Sequence, residues 1–226
     1  HKLAKLFTCF IKKKQSRILY YHDIHQDNGK KYYEYSTPIL LFLEHIRLIR
    51  HLDYEIVDQI TKPTKQVQIT FDDGYRGIIP FVDLIKKQKI YIKIFIITSE
   101  INKPNYLTDR EICLLNNDKI FSFGAHTHSH VPLIKCDITK LNHELKVSKK
   151  IVSELLGTNV KELAFPIGKF NELVINESRK AGYEKLYSGI PGKYFHKHQY
   201  LNRNLVQDLN SENFITALMG GYDIFK

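Results

Sequence analysis

Short β-branched runs alternate with longer amphipathic segments along most of this chain. The runs are RILYYH (17–22), QVQITF (66–71), YIKIFII (91–97), KIFSFGAH (119–126), ELAFPI (162–167), EKLYSG (184–189) and YLNRNLV (200–206), each of strand length. Helical spacing fills the gaps near 37–51, 77–88, 108–116, 138–156, 171–181 and 211–219. The 138–156 segment is the clearest, with Ile138, Leu141, Leu145, Ile151, Val152 and Leu155 near one face and lysines and glutamates elsewhere. This alternation predicts an α/β fold around a mainly parallel sheet, either open and doubly wound or curled into a barrel.

At 226 residues and 43% hydrophobic content, the chain is long enough for one sizeable core, and no low-complexity linker or internal repeat divides it. The expectation is one domain over 1–226, with 1–16 as a basic N-terminal extension. A formal charge of +10 favours anionic partners such as acidic glycans, phosphate groups or an anionic membrane surface. No mixed aromatic and basic motif accompanies that charge, so nucleic-acid binding is not expected as the primary function. Cys9, Cys113 and Cys136 are few, odd in number and far apart, which argues against a disulfide framework or a cysteine zinc site.

No apolar run reaches the ~18 residues of a membrane-spanning helix. HKLAKLFTCFIKKK (1–14) reads as a short amphipathic basic segment, suited to peripheral contact with a membrane surface or to packing on the domain. The chain starts at His1, which is compatible with removal of an upstream signal or anchor. Cell-envelope and cytoplasmic locations both stay open, as does oligomeric state.

Residues capable of chemistry gather where the strands end: His22, Asp72 and Asp73, the histidines of FGAHTHSH (123–130), and Pro166 to Gly168. In both parallel architectures that edge carries the active site. TFDDGYRG (70–77) runs a strand into two adjacent carboxylates, which share a site only if the chain turns there, as Gly74 permits. Imidazole and carboxylate together make a borderline divalent-metal site with positions left open. Geometry alone leaves the ligands undecided. On a strand His126, His128 and His130 all face one side, whereas on a helix His126 and His130 stack and His128 points away.

With these stretches in view, the chain resembles the polysaccharide deacetylases, the NodB-homology family also called carbohydrate esterase family 4. The resemblance rests on TFDDGY, on HTHSH as a His-Ser/Thr-x-x-His motif, and on FPIG after them, in compatible order from about residue 17 to 206. YYH near the start and AFPIG without an arginine look most like the branch acting on poly-N-acetylglucosamine. The resemblance implies a distorted or incomplete (β/α) barrel of about seven parallel strands. It makes Asp73, His126 and His130 the ligands of a divalent metal, zinc first, with cobalt, nickel, manganese or iron as alternatives. It makes Asp72 the general base, His22 the general acid and the Ile167 N–H an oxyanion donor. Thr127 would support the loop, and Asp23 or another carboxylate would tune His22. Tyr75, Pro166 and Gly168 are the substrate-contacting candidates.

One departure stands out. The family's third motif commonly reads Arg-x-Pro-Tyr-Gly, where this chain has Ala164, Phe165, Pro166, Ile167 and Gly168. Arg203 is a candidate replacement to orient the base, with a surface arginine as the other reading. The implied function is hydrolysis of N-acetyl groups on an anionic or neutral N-acetylhexosamine glycan, releasing acetate. Two alternatives are a hydrolase of small non-sugar amides on the same scaffold and a weakened glycan-binding relative.

Overall fold

The structure is a computed structural model that describes residues 14–195 and 198–223; the basic 1–13 stretch, with Cys9, lies outside the described residues. In chain order the strands are β1 (Arg17–Tyr21), β2 (Ile24–His25), β3 (Thr37–Pro38), β4 (Glu55–Ile56), β5 (Gln66–Phe71), β6 (Ile92–Ile96), β7 (Phe121–Ala125), β8 (Glu162–Ala164), β9 (Lys185–Tyr187) and β10 (Asn204–Leu205). The helices are α1 (Ile39–His51), α2 (Val82–Lys87), α3 (Asp109–Asn116), α4 (Ile138–Leu156), α5 (Glu172–Lys180) and α6 (Ser211–Met219). All seven predicted strands are present, most of them shortened. The helix expected over 77–88 is split, because Pro80 sits in a 3-10 turn, Arg76–Phe81, that precedes α2.

Seven parallel strands run in the order β10-β1-β5-β6-β7-β8-β9, with β4 paired to the start of β5 and β2–β3 a separate pair. The result is a distorted, incompletely closed barrel. Its ends, β9 and the segment leading to β10, meet through a single parallel bridge, Tyr187 to Leu201.

Alternation along each strand sorts side chains to two sides. Val67, Ile69 and Phe71, Ile92, Ile94 and Ile96, and Phe121, Phe123 and Ala125 join the large core with the helices. Ile18, Phe95, Ala164, Tyr187 and Leu201 form a smaller inner cluster. Around that cluster the barrel interior is polar and paired: Lys93 lies 3.0 Å from Glu162, which also accepts the Tyr187 hydroxyl at 2.7 Å. Such pairing is what makes burial of these groups tolerable.

Helix ends carry the expected caps. Thr108 and Glu111 form a reciprocal capping box on α3, and Asp137 caps α4 through Lys140 N–H. The buried face of α4 differs from the simple apolar stripe: Ile138 is 49% exposed, while Glu144 and Ser148 are fully buried. Ser148 meets the Tyr183 hydroxyl at 3.0 Å. Glu144 has a different employment, in the loop after β7.

Candidate metal centre and active site

The chain leaves β5 through two consecutive left-handed residues, Asp73 (φ 70°) and Gly74 (φ 79°). This turn, rather than strand alternation, lets Asp72 and Asp73 face one cavity. A side chain at Gly74 would be strained by that φ, and its Cβ would lie 2.9 Å from Ile96 Cδ1.

HTHSH is neither strand nor helix. β7 stops at Ala125, and Thr127 (φ 65°) and His130 (φ 57°) are both left-handed, a costly conformation for residues with side chains. Two sets of bonds hold the loop. Thr127 Oγ1 accepts from His130 N–H at 3.2 Å. The buried Glu144 carboxylate accepts the His128 and Ser129 backbone N–H groups at 3.0 and 2.7 Å and the Ser129 hydroxyl at 2.5 Å, with Lys140 3.1 Å away.

The outcome divides the histidines. His126 Nδ1–H donates to Ala164 O at 2.8 Å, which leaves its Nε2 lone pair for the cavity. His126 Nε2 and His130 Nε2 each lie 3.4 Å from Asp73 Oδ1. His128 instead sits with Nδ1 2.9 Å from Thr98 Oγ1 and its ring edge against His143. Asp73, His126 and His130 thus bring one carboxylate oxygen and two imidazole nitrogens within 4.8 Å of one another. Asp73 Oδ1 is buried and has no hydrogen-bond partner. A buried carboxylate oxygen without a donor is unfavourable, and a cation between it and the two nitrogens removes that deficit. The donor set therefore fits a borderline divalent ion with coordination positions to spare.

Asp72 is held differently. Arg203 Nη1 and Nη2 donate to its two oxygens at 2.6 and 2.7 Å, and Arg203 Nε donates to Ser188 O at 2.9 Å. The guanidinium is 1% exposed, so the surface reading of Arg203 does not hold. It lies 4.5 Å above the Tyr20 ring and 5.5 Å from the Phe95 ring. Burial pushes the Asp72 carboxyl up, but Arg203, with His126 and His22 behind it, overrides this and brings it down to about 2. Asp72 is consequently an ionised acceptor.

A cavity of about 290 Å³ gathers Tyr20, His22, Tyr33, Asp72, Asp73, His126, His130, Ile167, Gly168, Gly189 and Arg203. His22 Nδ1–H donates to Gln207 Oε1 at 2.7 Å, so its partner is a neutral amide rather than Asp23. Asp23 turns away: its Oδ2 accepts Tyr32 N–H at 3.3 Å and Oδ1 packs on Gly77. Ile167 is left-handed (φ 58°), and the two hydrogen bonds of its turn, Gly168 N–H to Phe165 O and Lys169 N–H to Pro166 O, do not use the Ile167 N–H. Gly168 is also left-handed, and a Cβ there would lie 2.6 Å from Gly189 Cα, so only glycine allows these two loops to touch.

Of the substrate-contacting candidates, Gly168 lines the cavity, Pro166 is buried and does not line it, and Tyr75 stacks on Tyr33 at 5.1 Å. Tyr33, Gly189, Gln207 and Glu144 are not among the site residues that the sequence points to. Tyr33 lies in a polar loop with no periodic signal, whereas Tyr20, close in sequence to the expected site, does line the cavity.

Comparison with known proteins bears on the family and the fold. The Polysaccharide deacetylase family model matches residues 59–186. YxkH of Bacillus subtilis (strain 168), whose name places it provisionally among polysaccharide deacetylases, is 26% identical over 186 residues, covering 77% of this chain and 64% of that protein. The poly-beta-1,6-N-acetyl-D-glucosamine N-deacetylase of Staphylococcus aureus (strain MRSA252) is 27% identical over 137 residues, 53% of this chain and 46% of that protein. The chain thus spans less than two thirds of the length of these relatives. The crystal structure of BC0361, a polysaccharide deacetylase from Bacillus cereus, superposes with a TM-score of 0.78 at 21% identity, over 91% of this chain and 69% of that one, a likeness of fold. With the family model covering more than half of its residues, the chain belongs to the polysaccharide deacetylase family.

Proposed function

We propose that this chain is a metal-dependent N-deacetylase that removes acetyl groups from an N-acetylhexosamine polysaccharide. The observation that carries the reading is the meeting, in one cavity, of a cation-ready trio with an unpartnered Asp73 oxygen and a carboxylate kept ionised by Arg203. The named activity of the Staphylococcus aureus relative supports an N-acetylglucosamine polymer as the substrate class.

Asp73, His126 and His130 would hold the ion, zinc by preference among zinc, cobalt, nickel, manganese and iron. A divalent cation bound there lowers the pKa of a coordinated water and polarises an amide carbonyl. Asp72, fixed in both oxygens by Arg203, accepts the proton of the attacking water. The Ile167 N–H donates toward the oxygen on which negative charge develops in the transition state. In its protonated form His22, its Nδ1–H engaged by Gln207, donates its Nε2 proton to the departing amine as the amide C–N bond breaks, and acetate leaves. Tyr20 and Tyr33 flank the His22 ring at 5.8 and 5.3 Å, which restricts its rotation.

The bidentate Asp72–Arg203 pair weighs against the weakened glycan-binding alternative, whose motive was an arginine missing from the third motif. The test is acetate release from a panel of N-acetylated glycans and small acetamides by protein stripped of metal and reloaded with each candidate ion. Release from N-acetylglucosamine oligomers only after reloading is the expected result. Release from small amides alone, or glycan binding with no acetate formed, overturns the reading.

A further inference from the structure

His45 is fully buried on α1, and no step at the cavity uses it. Its Nε2–H donates to Leu209 O at 2.7 Å, and because a carbonyl oxygen only accepts, this bond fixes the tautomer. Nδ1 is left as the acceptor of the Tyr21 hydroxyl, 2.9 Å away. The imidazole also stacks on Phe214 of α6, with 3.9 Å between centroids and 7° between planes. Both ring nitrogens are therefore engaged, and the ring is held on its face.

Both partners lead to His22. Tyr21 is its neighbour at the end of β1, and alternation sends Tyr21 into the core beneath α1 and His22 into the cavity. Leu209 lies two residues beyond Gln207, whose Oε1 takes His22 Nδ1–H at 2.7 Å. Thr37, at the start of β3, adds a second tie, its hydroxyl donating to Gln207 O at 2.9 Å. A circuit thus runs from β1 through Tyr21, His45 and Leu209 to Gln207, and returns to β1 at His22. The segment it grips follows the end of β10 at Leu205, where the backbone bonds are long: Val206 N–H to Tyr20 O at 3.3 Å and Leu209 N–H to Val206 O at 3.2 Å.

Tyr21, Thr37 and His45 are 0% exposed and Gln207 is 5% exposed, in a region where Tyr21 packs on Phe42 and Phe71 and His45 on Phe214. Apolar side chains would fill that space with no hydrogen-bonding demand, whereas a satisfied polar network adds rigidity and a unique geometry. We propose that His45, assisted by Thr37, is a positioning residue for the general acid: it hangs the 207–209 segment from α1, so that Gln207 holds the His22 ring with Nε2 left for the departing amine. This rests on the N-deacetylase reading of the cavity.

The test uses metal-loaded protein and two acetyl substrates, an N-acetylglucosamine oligomer and 4-nitrophenyl acetate. The amine departs from the first only with a proton, whereas 4-nitrophenolate leaves the second without one, so a misplaced acid slows the amide alone. His45→Phe, which keeps the ring stack and removes both bonds, should lower kcat on the oligomer about tenfold, part of the about 10²–10⁴-fold that a positioned acid contributes. KM, metal content and ester hydrolysis should stay unchanged. His45→Gln, which keeps a side-chain N–H for Leu209 O, should recover most of the loss, and His45→Phe should add nothing once Gln207→Leu is present. Far-UV circular dichroism checks folding. If His45→Phe does not fold, Thr37→Val takes its place, with a loss of about threefold, the scale of one modest hydrogen bond; if the ester is not turned over, the combination with Gln207→Leu decides. Equal losses on both substrates, additive losses in the combination, or no loss on the oligomer overturn the positioning role and leave the deacetylase reading intact. No acetate from any N-acetylated glycan with wild type overturns that reading, and the positioning role with it.

Discussion

Replacing Arg203 with Met removes both donors from a carboxylate that has nowhere else to turn. Asp72 is 3% exposed and Arg203 1%, and the guanidinium supplies two bonds to Asp72, one to Ser188 O and a weaker one to Thr70 Oγ1 at 3.3 Å. Breaking a buried pair by removing one partner costs about 3–5 kcal/mol, because the other charge stays buried and unpaired. For a chain of this size each kcal/mol lowers the melting temperature by about 2–4 °C, so a fall of about 10 °C is expected. The assay is urea unfolding followed by far-UV circular dichroism, since the chain has no tryptophan, on Arg203→Met, Asp72→Asn and the double variant. The cycle should give a coupling energy of at least about 2 kcal/mol, with the arginine replacement costing much less once Asp72 is neutral. A coupling below about 0.5 kcal/mol, where independent sites fall, would refute the argument that Arg203 exists to hold Asp72 ionised.

Metal content measured on purified protein should be lost in Asp73→Ala and in His130→Ala but retained in His128→Ala; loss in the last would restore the reading in which all three histidines face one side. Glu144→Gln should weaken metal affinity, read by competition with a chromophoric chelator, about tenfold, the scale for groups that orient ligands, and an unchanged Kd would make Glu144 a packing residue only. Stability should also depend on pH through His45, which is fully buried, donates Nε2–H to Leu209 O, accepts the Tyr21 hydroxyl and stacks on Phe214 at 3.9 Å. Burial lowers its pKa to about 4, so the unfolded chain takes up this proton first. The contribution is full above about pH 6.5 and lost as pH falls toward 4, up to about 3 kcal/mol. Asp23, pushed up by burial to about 6, acts in the opposite sense over part of that window. The quantity to measure is therefore the stability difference between wild type and His45→Gln across pH, which should shrink on acidification; a flat difference removes His45 from the account.

The strands and helices were legible where β-branched runs and helical spacing were long, and Asp72, Asp73, His126 and His130 were legible because ligand-type residues stood at strand ends. What local spelling could not carry was geometry fixed by distant partners. Alternation in HTHSH mimics a strand, yet Thr127 and His130 are left-handed, and Glu144, on a helix that reads as amphipathic, binds the two residues between them, His128 and Ser129. Arg203 could be read either way until the pairing of β10 with β1, Leu19 opposite Asn204, set which side of the sheet it faces. Gln207 and Tyr33 come from stretches with no periodicity, so only the folded chain brings them to His22. Asp23, adjacent to His22 in sequence, is the clearest false lead, because neighbours on an extended chain point to opposite sides.

The seam of the barrel has a consequence for how the protein comes into being. The segment that bridges β9 through Leu201 and pairs with β1 through β10 also carries Arg203, 131 positions away from the carboxylate it holds. Contacts of such sequence separation form late, because the entropy of closing a long loop must be met first. Until that final stretch docks, Asp72 has no guanidinium and the sheet has an open edge. Completion of the architecture and electrostatic commissioning of the base are one event, so a chain arrested one strand short would hold its metal trio yet lack an oriented proton acceptor.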